Sequence, residues 1–135
     1  MTRTKEREQA FIMLFEKAFN NDVDIDELFS YAYETESFEK SEFCEALVKT
    51  ALENLETIDG IIEKYSIGWK LNRLPKVSLS VLRLALCEII YVDSIPDSVS
   101  VNEAVELTKT YAGIQDSSFV NGILGTYLRE NKKDE

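Results

Sequence analysis

From Val77 to Val92 the chain is apolar on nearly every side. Val77, Leu79, Val81, Leu82, Leu84, Ala85, Leu86, Ile89 and Ile90 leave no polar stripe at helical spacing. Prolines bound the segment on both sides, in Leu74-Pro75 and Ile95-Pro96. A helix that is hydrophobic all round is satisfied only at the centre of a bundle of other helices. It is too short for a bilayer, which needs about 20 apolar residues. Its two charges, Arg83 and Glu88, each require a partner or a route to water. The pattern therefore predicts a central helix with structurally paired charges, and the rest of the chain must cover it.

The rest supplies suitable cover. Residues 4–20 carry Ala10, Phe11, Leu14, Phe15, Ala18 and Phe19 as one helical stripe, with Thr4 as the expected N-cap. Residues 25–34 predict a short helix opened by Asp24. Residues 38–57 predict a longer one capped by Ser37, followed by another pattern over 58–66 that breaks near Thr57 and Gly60. Ser100-Val101-Asn102-Glu103 matches a capping box and starts a helix that ends near Gly113. Asp116 or Ser117 starts the last one, which buries Phe119, Val120, Ile123, Leu124 and Tyr127. Five glycines and two prolines in 135 residues leave few breaks. The expectation is one all-α domain of about seven helices over 1–135, with a frayed charged tail at 131–135.

Composition narrows the chemistry. The chain has no histidine, which removes the usual general base and the commonest metal ligand. Cys44 and Cys87 both lie inside apolar patterns and read as small buried side chains. Acids are abundant, but none forms a cluster with metal-ligand spacing, and nothing matches a catalytic motif. No catalytic residue, metal or cofactor is expected, and the activity should be binding rather than catalysis. No apolar run approaches membrane length and the N-terminus lacks a signal-peptide core, so the chain reads as cytoplasmic.

The net charge of −10 argues at first against nucleic acid. Its distribution changes that judgement. Residues 21–60 hold twelve acids and two bases, whereas the other residues hold thirteen of each. A local basic patch outside the acidic block is free to meet phosphate. Arg3, Lys5 and Arg7 form a short basic arm at the start of the first helix, and residues 69–76 form a connector of basic character.

Several stretches taken together resemble the NusB family of bacterial transcription antitermination factors. They are Leu82-Arg83-Leu84-Ala85 with Glu88, Ile95-Pro96, Asn102 to Leu107 with Lys109, and Phe119-Val120-Asn121-Gly122-Ile123-Leu124. The resemblance implies a NusB-type bundle of about seven helices. It implies a protein that binds the boxA element of nascent RNA together with NusE, a small-subunit ribosomal protein. That assembly joins RNA polymerase and other Nus factors and suppresses termination, chiefly on ribosomal RNA operons. Some members of the family pair through the RNA-binding surface, so a homodimer is a second state that the resemblance allows.

Carried over residue by residue, the family's RNA contacts fall on Arg3, Lys5, Arg7, Phe15, Gln115, Asp116, Ser117 and Phe119. Thr4 and Glu6 interrupt the basic arm. The family's protein-partner surface falls on Ile62, Tyr65, Trp69, Ser78 and Leu82. The alternative reading is a protein adaptor of the same fold that does not bind RNA.

Overall fold

The computed structural model describes residues 1–132. Seven α-helices and one 3₁₀ turn account for most of them, and no strand occurs among the described residues. They are α1 (Arg3–Phe19), α2 (Ile25–Glu34), α3 (Glu42–Glu53), α4 (Leu55–Tyr65), the 3₁₀ turn (Leu71–Arg73), α5 (Lys76–Tyr91), α6 (Asp97–Tyr111) and α7 (Ile114–Asn131). This is the all-α bundle that the sequence pattern predicts.

α5 is the axis of the molecule. It packs against α1, α3, α4, α6 and α7. Val81, Leu82, Leu86, Cys87 and Glu88 on it are almost fully buried. α6 and α7 form the most extensive helix pair. α2 packs on α1 and is tied to α3 by the Tyr33 hydroxyl, which donates to Glu45, and by an ion pair between Asp26 and Lys49 at 3.0 Å. No helix among the described residues is long and apolar enough to cross a membrane.

Several helix ends differ from the sequence pattern, and each has a local cause. α1 begins early because the Thr2 hydroxyl, not that of Thr4, accepts from the Lys5 amide at 3.1 Å. α3 begins at Glu42, where Ser41 rather than Ser37 accepts from the Cys44 amide at 3.0 Å. The link before it is held by Gln9, whose side-chain amide bonds both the carbonyl and the N–H of Glu39. The predicted break near Thr57 falls at Asn54 instead, where Asn54 donates back to the Thr50 carbonyl. α6 starts at Asp97 directly after Pro96, so Ser100 lies inside the helix and caps nothing. α7 starts at Ile114 behind Gly113, whose φ of 110° and ψ of −178° belong to a region essentially reserved for glycine. The end of α7 holds further than the pattern predicts. Asn131 still belongs to the helix, and the Lys132 amine reaches the Ile89 carbonyl at 2.7 Å. Residues 133–135 of the expected tail lie outside the described residues.

Both predicted charges of the central helix are paired. Glu88 is almost fully buried and accepts from Arg7 Nε at 2.6 Å and from the Ser100 hydroxyl at 2.8 Å. Arg83 makes a two-pronged bond to Asp59, both contacts at 2.9 Å. Cys44 and Cys87 are free and buried, and burial pushes both thiols up to about 12.

Candidate nucleic-acid interface

The basic arm occupies the first two turns of α1. Arg3 and Lys5 are exposed, as a phosphate contact requires. Each is nevertheless engaged one turn on, Arg3 with Glu6 at 2.7 Å and Lys5 with Glu8 at 3.0 Å. Arg3 also lies 4.0 Å over the Phe43 ring. Arg7 does not belong to the arm. It is 4% exposed, its guanidinium holds Glu88, and Glu103 approaches it at 3.8 Å. A buried arginine tied to a buried carboxylate has no free donor face for a phosphate, so the expectation for Arg7 is corrected to a structural role.

The arm's carboxylates are held in their charged form. The Ser41 hydroxyl, with help from Arg3, keeps the Glu6 carboxyl below its ordinary value. The Tyr111 hydroxyl, 2.6 Å from Glu8, and then Lys5 do the same for Glu8. In return, Glu8 pushes the Tyr111 phenol up to about 12.

Along α1 the aromatic rings form a row. Tyr111 tilts on Phe11 at 4.9 Å, Phe11 sits 6.0 Å from Phe15, and Phe15 meets Phe19 edge-on at 5.0 Å. Phe15 is half-buried inside the row. The most exposed ring of the row is Phe19, at 59%, although it belongs to the apolar stripe of the sequence. Lys76 stands 5.9 Å from its centre.

The corner between α6 and α7 carries the remaining RNA candidates. Ile114 is 74% exposed and Gln115 is exposed, whereas Asp116 and Phe119 are half-buried. Ser117 is buried and donates its hydroxyl proton to the Ile114 carbonyl at 2.8 Å, so it has no proton free to donate to a ligand. Phe119 and Asp116 line a cleft of about 210 Å³ with Trp69, Leu74, Pro75 and Ser78.

That cleft cuts across the two surfaces carried over from the resemblance. The resemblance assigns Trp69 and Ser78 to a protein partner, and Asp116 and Phe119 to an RNA; the fold places all four together. The other partner-surface candidates recede. Ile62 and Leu82 have no accessible surface and belong to the core. Tyr65 is half-buried and ties α4 to α7, donating to Glu130 at 2.9 Å and accepting from Asn131 at 3.2 Å.

Trp69 reaches the surface because of the turn before it. Gly68 adopts φ +86°, a left-handed conformation that glycine takes without strain. The buried Ser66 accepts the Trp69 amide on its carbonyl at 2.9 Å and donates its hydroxyl to the Trp69 carbonyl at 3.3 Å. A second cleft of about 360 Å³ runs from Gly68 and Trp69 to Lys70 and Arg73. A third, of about 450 Å³, continues from Lys70 past Lys76, Lys17 and Leu55.

Sequence patterning marks a basic connector here but misses its extent. Residues 64–87 contain Lys64, Lys70, Arg73, Lys76 and Arg83 and no acid at all. Among the described residues Lys70, Arg73 and Lys76 have no carboxylate within ion-pair distance. Counting charge in a sliding window would have found them. Exposed rings can stack on flat groups, and unpaired cations beside them can meet phosphates. No group of metal-binding side chains occurs among the described residues.

The fold and this face define a helical-bundle protein that offers aromatic rings and cations to a partner. Comparison with known proteins agrees on the fold and supplies the family. Residues 4–129 match the NusB family, and the chain belongs to it. The transcription antitermination protein NusB of Alkaliphilus oremlandii is 45% identical over 131 residues, covering 96% of this chain and 95% of that protein. A crystal form of T. maritima NusB superposes with a TM-score of 0.87 at 34% identity, covering 96% of this chain and 92% of that one. A chain from a crystal structure of the antitermination factors NusB and NusE in complex with dsRNA superposes with a TM-score of 0.83. It is 30% identical and covers 96% of this chain and 99% of its own.

Proposed function

We propose that this chain is a transcription antitermination factor that binds boxA-type RNA jointly with NusE and joins RNA polymerase and other Nus factors, chiefly on ribosomal RNA operons. The reading places it in the cytoplasm, where nascent RNA is made. The observation that carries it is the concentration, on one face of a chain whose net charge is −10, of exposed rings and of cations with no carboxylate partner among the described residues. Phe19 and Trp69 are exposed there, with Lys76 beside Phe19 and Lys70 and Arg73 beside Trp69. The similarity to a chain solved with NusE and RNA supports the same reading.

The mechanism is joint binding. Arg3 and Lys5 are partly neutralised by Glu6 and Glu8, so the arm alone attracts phosphate weakly. A second RNA-binding protein on an adjoining surface turns two weak contacts into one stronger, effectively intramolecular one. The adaptor reading is favoured by the same ion pairs, because an arm already satisfied by its own carboxylates gains less from RNA.

Fluorescence anisotropy of a labelled boxA RNA separates the two. The RNA is titrated with this protein, with NusE, and with both, against a scrambled RNA. Tighter, sequence-dependent binding by the pair is the expected result. A protein pair that forms but leaves the RNA unbound would make the chain an adaptor.

A further inference from the structure

The neutralisation of the basic arm is built twice to one plan. One oxygen of Glu6 accepts from the Arg3 guanidinium at 2.7 Å, and the other accepts from the Ser41 hydroxyl at 2.5 Å. One oxygen of Glu8 accepts from the Lys5 amine at 3.0 Å, and the other accepts from the Tyr111 hydroxyl at 2.6 Å. Ser41 caps the start of α3, and Tyr111 is the last residue of α6. Each carboxylate is therefore divided between a cation of its own helix and a hydroxyl from a different one. A third acid, Glu103 of α6, accepts from the Thr4 hydroxyl at 3.2 Å and approaches Arg7 at 3.8 Å.

An ordinary ion pair at this spacing on a helix surface is loose, because both side chains move and water screens them. Here the cations stand in water and the acids do not. Arg3 and Lys5 keep 60% and 59% of their side-chain surface exposed, whereas Glu6 and Glu8 keep 12% and 26%. The hydroxyls that fix the acids also hold both carboxyls below their ordinary value, so they remain charged at neutral pH. A tie between helices does not require that charge, since a neutral side-chain amide would accept the same hydroxyl bonds. What the carboxylates add is a fixed negative oxygen close to the distance a phosphate oxygen would take from the same nitrogen, about 2.7–2.9 Å.

We infer that Glu6 and Glu8 are built-in phosphate mimics that mask Arg3 and Lys5 from the RNA backbone. A phosphate that reaches the arm exchanges one anion for another instead of meeting a free cation, so its net gain is small. Phosphate contacts carry no sequence information. The masking thus suppresses indiscriminate binding and leaves capture of an RNA to contacts that read its bases or that a second protein adds. The inference rests on the RNA-binding reading above. It assigns control of affinity to Glu6 and Glu8, and it makes Ser41 and Tyr111 the side chains that position them.

Glu6→Gln with Glu8→Gln removes both charges and keeps an acceptor for each hydroxyl. The full-length variant is titrated by fluorescence anisotropy with the boxA RNA and with the scrambled RNA over a range of salt. Both RNAs should bind about three- to tenfold more tightly at low salt. The log–log salt slope should steepen by about 1.4, two released phosphate contacts at about 0.7 each. The same two substitutions in an Arg3→Ala, Lys5→Ala background should leave affinity unchanged within about twofold, because no cation remains to unmask. Should the double glutamine variant prove too unstable to titrate, Glu8→Gln alone should give about half of the slope change, about 0.7.

If the glutamine variants bind both RNAs with the original affinity and slope, the masking is wrong and the RNA-binding reading stands. If affinity rises equally in the alanine background, the gain comes from net charge alone and the inference is overturned. If neither RNA binds any variant, with or without NusE, both readings fall.

Discussion

Two regions of this molecule carry clustered cations, and they are built on opposite plans. At the start of α1, Arg3, Lys5 and Arg7 each meet a carboxylate: Glu6, Glu8 and Glu88 in turn. Between α4 and α5, Lys70, Arg73 and Lys76 meet none among the described residues. The same side-chain types thus do different work. Cations whose charge is already answered hold helices together, and cations left unanswered remain available to an outside polyanion. Counting lysines and arginines does not separate the two; their counter-charges do.

The contrast between the two regions is greatest at Arg7. Arg7→Ala should destabilise the fold by about 3–5 kcal/mol, because it strands a buried carboxylate. Chemical denaturation measures this, and a loss below about 1 kcal/mol would show that Glu88 is not held as described. Next in size, replacing Lys70, Arg73 and Lys76 together by alanine should leave stability nearly unchanged. It should flatten the salt dependence of RNA binding by about 2 in log–log slope, three phosphate contacts at about 0.7 each. An unchanged slope would remove the connector from the RNA path. Arg3→Ala with Lys5→Ala should have a smaller effect, a slope change below about 1, because each cation is shared with an acid. If this pair outweighs the connector triple, the contrast between the regions is reversed.

The smallest effect is expected in acid. Glu6 and Glu8 are held below their ordinary value of 4.5, so the unfolded chain takes up protons first as the pH falls. Their contribution is fully present above about pH 4.5 and is lost as the pH drops through their lowered values. Tyr111→Phe removes the main hydrogen bond holding Glu8 down and should make that acid limb shallower. Thermal melts by circular dichroism across pH 3–6 (a range set by the ordinary carboxylate values) would show it.

How much of this is legible in the sequence varies by residue. The all-round apolar run after Val77 marks α5 as the central helix, and its two charges are paired as that pattern requires. Arg7 can be read better than a basic arm allows: it lies three, four and seven residues before Ala10, Phe11 and Leu14, hence on their buried face. Its partner cannot, because Glu88 is 81 residues away. Ser100 misleads for the same reason. Its local spacing fits a cap, but its hydroxyl is committed to Glu88, a contact that only the tertiary fold creates. The cleft joining Trp69 to Phe119 is invisible to periodicity, which describes one helix at a time and cannot bring two together.

The pairing of Arg7 with Glu88 also sets an order of events during synthesis. The first helix leaves the ribosome well before its partner exists. At about 5–20 residues per second, the intervening 81 residues take roughly 4–16 s to make. Through that interval Phe11, Met13 and Leu14 have no α5 to pack against, and Arg7 is solvated rather than paired. Translation of α5 is therefore the moment at which the first-made part of the chain can lock into place, and the nascent bundle is most exposed to aggregation or capture by chaperones just before it.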